Sequence, residues 1–428
     1  MRDGSEGPLK VVMRNDVIDT PRFDPRDERL LDDPYAVFAR YRELDPVHWG
    51  FPSIRNLDGA WYLFRYDDNV AMLSDAETFA NDPATVGMQA SVPEAFRPMA
   101  SVYQRWLGGR DGVDHRQLRV VLAKAFTPRR IAELRPRIEA IANKLITSAV
   151  ERGGGKFDIA HDVAFPLPMA IVGDALGVAE EDWPLFQRWA DDMSAAIEKI
   201  SDPEACAAGG RAMEAMVSYF AELVARHRAE PIDDLLGAMV TEADDQGKPM
   251  SELDVIAIAT ELGFAGHETV AGGIGKAVLG MMDQRERWAE LGALVEAGLD
   301  QAIDEILRWT CPVQRQRWRW VIRDTALGGR PFERGQCVVS VLAAANRDPS
   351  HFPDPDRIDF HRASGRHMTF GFGNHFCIGS QLARLELRSA LGSLASRFPD
   401  LQLTMDPKDI PWRRDFGKPG PRTVPVAV

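Results

Sequence analysis

Between Phe370 and Glu386 the chain reads FGFGNHFCIGSQLARLE, and this stretch constrains the fold more than any other. Gly371 and Gly373 suit backbone conformations that other residues avoid. From Ile378 onward the apolar spacing Ile378, Leu382, Leu385 predicts a long final helix. A helix start offers unpaired N–H groups and the positive end of the helix dipole. Cys377 sits at that junction, where an anion is stabilised, and a cysteine held there is a thiolate. The rest of the chain has to supply what that sulfur binds.

Composition narrows the choice. The 428 residues are 45% hydrophobic and 27% charged, as in a soluble globular protein with a large core. No apolar run approaches the ~18 residues needed to span a bilayer. The opening MRDGSEGPLKVVMRND is polar and lacks the apolar centre of a signal peptide, so a cytoplasmic location is expected. A net charge of −13 argues against nucleic acid or an anionic membrane as the main partner. Cys206, Cys311, Cys337 and Cys377 form no CxxC pair, which argues against zinc ribbons and redox dithiols. The first three read as small core residues.

Along the chain, DGAWYLFRYDD (58–68) has strand composition between polar turns. DHRQLRVVLAKAF (114–126) reads as a helix with Leu118, Val121, Leu122 and Ala125 inward. Thr127-Pro128 opens the next helix, and the glycines at 153–155 close it. Residues 160–310 are mostly helical in character, broken at Pro203 and Pro231. Ser251-Glu-Leu-Asp254 is a capping signature for a long helix reaching about residue 283. In RQRWRWVIRD, Trp318, Trp320 and Ile322 alternate with Arg317, Arg319 and Arg323, which is strand periodicity. The fold class expected is mainly α with a small β portion towards the C-terminal third.

Three further patterns carry chemistry. Glu305 and Arg308 share a helix face at i, i+3. Ala265-Gly266-His267-Glu268-Thr269 places a glycine inside a helix, at a cost of roughly 1 kcal/mol relative to alanine. A hydroxyl at Thr269 can bond back to a carbonyl one turn earlier and bend the helix. Adjacent side chains diverge by about 100°, so Glu268 points aside from Thr269. His115 and Arg119 lie on one face at i, i+4.

The pattern Phe370-Gly371-x-Gly373-x-His375-x-Cys377-x-Gly379 resembles the haem-thiolate loop of the cytochrome P-450 family at every fixed position. The resemblance runs from DDPYAVFARYRELDPVHW (32–49) to the terminal RTVPVAV. It implies one domain over residues 1–428, with a helix-rich lobe and a smaller β-rich lobe, holding one haem b. It implies that Cys377 is the axial ligand to the iron, with Phe370, Gly371 and Gly379 around it. Residues 265–269 resemble the family's oxygen-binding motif. On that likeness Ala265 and Gly266 form the haem-side groove, Thr269 faces dioxygen, and Glu268 leads to a proton relay. His115, Arg119, Arg319 and His375 match contacts to the haem propionates, with Arg317 the alternative to Arg319. Glu305 and Arg308 match a structural network whose third member is here expected to be Arg357.

Two departures stand out. RDGVD precedes His115 where related chains carry a different turn, and Val270 replaces a common second hydroxyl after Thr269.

The activity implied is insertion of one oxygen atom from O2 into an apolar organic substrate, such as a natural-product scaffold of secondary metabolism. Electrons would come from NAD(P)H through a ferredoxin and its reductase, to a monomer. Alternatives are a peroxide-using enzyme, a desaturating or coupling enzyme of the same type, or a non-catalytic haem sensor. Segments 84–106, 180–205 and 311–314 are expected to line the pocket, with Met88, Val92, Phe96, Met99, Met193, Val313 and Gln314. Arg116, Arg119, Lys124, Arg384 and Arg388 are expected to form a basic patch for an acidic ferredoxin.

Overall fold

In the computed structural model, residues 20–428 are described except 53–56, 89–92, 201, 296–297 and 364. The polar opening stretch and Val92 lie outside the described residues. Helix α1 (Arg97–Tyr103) leads to α2 (Gly112–Ala125), which buries Leu118, Val121, Leu122 and Ala125 as their spacing requires. Thr127 caps α3 (Pro128–Gly153): its hydroxyl oxygen accepts from Arg130 N–H at 3.3 Å, and Gly154 ends the helix at φ 57°. Next come α4 (Pro166–Ala175), α5 (Trp183–Glu198) and α6 (Pro203–Ala229), the last capped by Asp202 with Pro203 in its first turn. The two prolines that break the pattern therefore mark a helix start and, at Pro231, a chain leaving a helix end.

Ser251 accepts from Asp254 N–H at 3.2 Å and opens α7 (Glu252–Asp283). This helix is apolar almost all round, which suits a buried position. It packs against α4, α5, α6 and α9 (Ser380–Arg397), with α8 (Asp300–Thr310) also touching it. A large apolar core joins these helices.

The strands build a second, smaller core. They are β1 (Val47–Gly50), β2 (Ala60–Leu63), β3 (Phe79–Ala80), β4 (Arg319–Val321) and β5 (Cys337–Ser340). The sheet order is β1-β2-β5-β4-β3, with β2 and β5 parallel and the other pairs antiparallel. Because Ala80 pairs with Trp320, Asn81 leaves the sheet edge beside Arg319. A hairpin of β6 (Trp412–Arg413) and β7 (Gly420–Pro421) closes near the C-terminus. No helix among the described residues is long and apolar enough to cross a membrane.

Candidate functional site

The cysteine loop is held by its glycines. Gly373 adopts φ +68°, and a Cβ there would lie 2.2 Å from the Leu73 carbonyl oxygen, so no other residue fits. Cys377 N–H donates to the Phe370 carbonyl at 2.9 Å, which folds the loop back on itself just before α9. Phe370 packs its ring under the Arg384 guanidinium at 4.6 Å. Gly371, at φ +72°, faces the Gln316 amide, and Gly379 has open space where a Cβ would point.

Of the four cysteines, Cys377 alone is exposed. Burial raises its thiol pKa, and the Gly379 N–H and the Arg119 and Arg384 charges only partly offset this. Burial thus opposes the thiolate that the helix start favours. A metal ion bound to the sulfur removes the proton outright.

His115, His375 and Arg319 converge beside this loop. The two imidazoles stack with centroids 4.0 Å apart, and His375 Nε2 lies 2.7 Å from Asn81 Nδ2. Arg319, 3% exposed, donates to the Asn81 side-chain oxygen. Asp111, from the unusual RDGVD turn, accepts from the N–H groups of Asn81 and Asp82, each at 2.7 Å. Burial opposes its charge, but His375, Asp82 and Asn81 hold its pKa at about 2. Burial, with the charges of His375 and Arg119, pushes His115 down to about 4, and its Nε2 is buried without a partner. An orphaned imidazole nitrogen beside a buried guanidinium is a set of donors shaped for an anion. Arg119 stands apart from them, donating to the Phe376 carbonyl at 2.6 Å beside Cys377.

Ala265 is exposed halfway along α7, between buried Gly263 and His267. The Glu261 charge, one turn earlier, is felt at the Cys377 sulfur. Gly266 lets α4 approach: a Cβ there would sit 2.7 Å from Val172 Cγ2. Thr269 Oγ1 donates to the Ala265 carbonyl at 3.0 Å, the back-bond expected of it. Glu268 does point aside, but into an ionic cluster. It accepts from Ser194 Oγ on α5 at 2.7 Å, from Arg413 Nη1 at 2.7 Å, and from Lys418 Nζ. Burial opposes its ionisation, but Lys418 and Arg413 hold its pKa at about 2, so it carries no proton at neutral pH.

The network around Glu305 corrects one expectation. Arg308 forms a fork on Glu305, Nε to Oε2 at 2.7 Å and Nη2 to Oε1 at 2.8 Å. The second cation is Arg362, with Nε 3.1 Å from Oε1. Arg357 is exposed and offers only its carbonyl to Arg308 and Arg362. The turn from Arg357 to Arg362 returns the later arginine to Glu305 while Asp359 N–H donates to the same carboxylate at 2.9 Å.

The pocket expectations divide. Phe96, Met99 and Met193 are packed into the helical core, and Met88 rests on the smaller core. Gln314 is buried, its N–H donating to the Gly417 carbonyl at 2.8 Å, whereas Val313 is half-buried. Asn81, Asp111, Ser194, Arg362, Arg413 and Lys418 were not singled out from sequence. Only Asp111 carried a signal, the atypical turn before His115.

Comparison with known proteins fits this geometry. The family described as Cytochrome P450 matches residues 298–423. Over 409 residues the chain is 32% identical to polyketide biosynthesis cytochrome P450 PksS of Bacillus subtilis, covering 95% of this chain and 98% of that one. It is 33% identical over 402 residues to 6-deoxyerythronolide B hydroxylase of Saccharopolyspora erythraea, covering 92% and 96%. The solved PksS structure superposes with a TM-score of 0.85 over 95% of this chain and 99% of that one. P450BioI in complex with an acyl carrier protein gives 0.84 at 29% identity, over 94% and 100%. With an exposed cysteine at the end of a glycine loop and relatives matched nearly end to end, the chain belongs to the cytochrome P450 family of haem oxidoreductases.

Proposed function

We propose that this P450 inserts one atom of dioxygen into an apolar organic substrate of natural-product type. The observation that carries this is the exposed Cys377 sulfur at the end of the glycine loop, which feels the charge of Glu261 on α7, one turn before the exposed Ala265. The names of the relatives support a biosynthetic substrate, since PksS is named for polyketide biosynthesis. The bound haem supplies the oxygen activation and the transfer to carbon.

The chain's own residues have separable roles. Cys377 is the iron ligand, positioned by the Phe370 carbonyl and Gly379. The unpartnered His115 nitrogen, Arg319 and His375 hold a propionate, and Arg119 braces the cysteine loop at Phe376. Thr269 keeps its oxygen lone pairs available while its proton rests on the Ala265 carbonyl. Glu268 anchors the relay as an anion rather than carrying the proton. The protons near it are on Arg413 Nη1, Lys418 Nζ and Ser194 Oγ, the last two atoms 3.2 Å apart. Electrons come from NAD(P)H through a ferredoxin and its reductase.

Purified enzyme with a ferredoxin and reductase tests the reading. Adding a substrate should raise NAD(P)H and O2 consumption and yield a product heavier by one oxygen, labelled from 18O2. Product formed without O2, or an unlabelled oxygen, would contradict it.

A further inference from the structure

Three arginines alternate with Gln316 and Trp318 between Gln314 and Trp320, and two of them have partners. Arg315 lies over the ring of Trp318 at 4.9 Å, and Arg319 donates to Asn81. Arg317 is half-buried with its guanidinium carbon 4.4 Å from the centre of the Tyr103 ring. Among the described residues it has no ion pair and donates no hydrogen bond. The carboxylate that feels its charge is Glu261, and that group is already engaged. Glu261 Oε2 accepts from Leu107 N–H at 2.6 Å and Oε1 from Gly108 N–H at 3.1 Å.

Two glycines lie against the Arg317 side chain, and only at Gly109 would a Cβ crowd the guanidinium. A Cβ at Gly109 would lie 3.3 Å from Nη2, and one at Gly108 would lie 3.6 Å from Cδ. From Arg317 a chain of ring contacts runs to α7, with half-buried Tyr103 and Phe264 at its ends and buried Trp106 between them. Tyr103 contacts Trp106 with centroids 4.7 Å apart, and Trp106 contacts Phe264 at 5.2 Å. Phe264 directly precedes Ala265. A guanidinium fork without a partner, at the end of a row of rings, suits a planar carboxylate in two parallel bonds.

We infer that Arg317 anchors the substrate, and that the substrate class is carboxylic acids with an apolar body. The acid sits on Arg317 and the body lies along the half-buried Tyr103 and Phe264, joined by the buried Trp106, towards Thr269. This rests on the monooxygenase reading, and it refines the apolar pocket expected from sequence by adding one charged contact. It also separates Arg317 from Arg319, which belongs with His375.

Equilibrium dialysis of the haem-loaded enzyme tests it, with n-alkanoic and ω-phenylalkanoic acids of medium and long chain, each beside its methyl ester. Acids should bind more tightly than their esters by roughly 10- to 100-fold, the range for hydrogen bonds to charged groups. Arg317→Gln should abolish that preference and leave ester binding and haem content unchanged, while Arg317→Lys retains part of it. Esters binding as well as acids, or no acid binding at all, would overturn the inference. So would loss of haem from Arg317→Gln, which would make the residue a propionate contact. Because dialysis needs no turnover, an acid preference lost in Arg317→Gln would stand even if oxygen insertion failed. Oxygen insertion into neutral substrates alone would leave the monooxygenase reading intact and remove this one.

Discussion

Arg413 lies 2.7 Å from Glu268, which ties the hairpin near the C-terminus to the middle of the longest helix. Burial opposes the Glu268 charge, yet Lys418 and Arg413 hold its pKa at about 2. An unfolded glutamate titrates near ~4.3. A depressed carboxylate contributes stability that is present above the unfolded value and lost as pH falls through the folded one. Glu268→Gln should therefore lower stability at neutral pH by about 3 kcal/mol, since two cations lose a buried partner. The gap to the parent should narrow once pH drops below ~4.5. Urea unfolding across this range checks it, and a gap independent of pH would show that the charge is not what stabilises.

Arg362 and Arg357 make a second contrast. Arg362 shares the buried Glu305 with Arg308, whereas the Arg357 side chain is exposed. Arg362→Ala should cost about 3 kcal/mol, from breaking a buried ionic network. Arg357→Ala should stay within about 0.5 kcal/mol. Chemical denaturation of the two variants separates them.

Thr269 donates only to a backbone carbonyl, so its loss should leave the fold and substrate affinity intact. Thr269→Ala should divert reducing equivalents to hydrogen peroxide. The ratio of product formed to NAD(P)H consumed measures this. An unchanged ratio would make Thr269 a helix-bending residue only.

The electron donor should meet a smaller basic surface than the sequence suggested. Arg384 is paired with Asp304 at 2.7 Å and Arg388 with Asp300 at 2.5 Å, while Lys124 donates to the Ala243 carbonyl. Arg116 is exposed, and so is Arg366, which lies over Phe372 at 3.9 Å and Phe376 at 5.0 Å, next to Cys377. Charge reversal of Arg116 and Arg366 to Glu should slow reduction by an acidic ferredoxin, and reversal of Arg388 should do so less. Added salt should slow the parent too, as screening shortens to about 10 Å at 0.1 M. Stopped-flow reduction rates read both effects, and rates indifferent to both would place the docking elsewhere.

What the sequence made legible follows a physical division. Short-range rules located the helix starts at Thr127 and Ser251, the back-bond of Thr269 and the glycine loop before Cys377, because each depends on neighbours a few residues away. The β pairing that sets Asn81 beside Arg319 joins residues far apart in the chain, and no local pattern announces it. The same holds for Arg413 and Lys418 on Glu268, which arrive from a hairpin near the far end. Arg357 matches the family's pattern in the proline-rich stretch, whereas only the folded turn brings the Arg362 side chain back to Glu305. Met99 and Met193 read as pocket residues because apolar composition does not distinguish a chamber wall from a core.

Everything above depends on Cys377 binding haem iron through its sulfur. The reduced enzyme under carbon monoxide tests this most directly. The parent should show the strongly red-shifted Soret band that thiolate ligation gives, and Cys377→Ala should lose it completely even where some haem stays bound. A Cys377→Ala protein that retained the band, or a parent that never showed it, would mean that Cys377 is not the iron ligand.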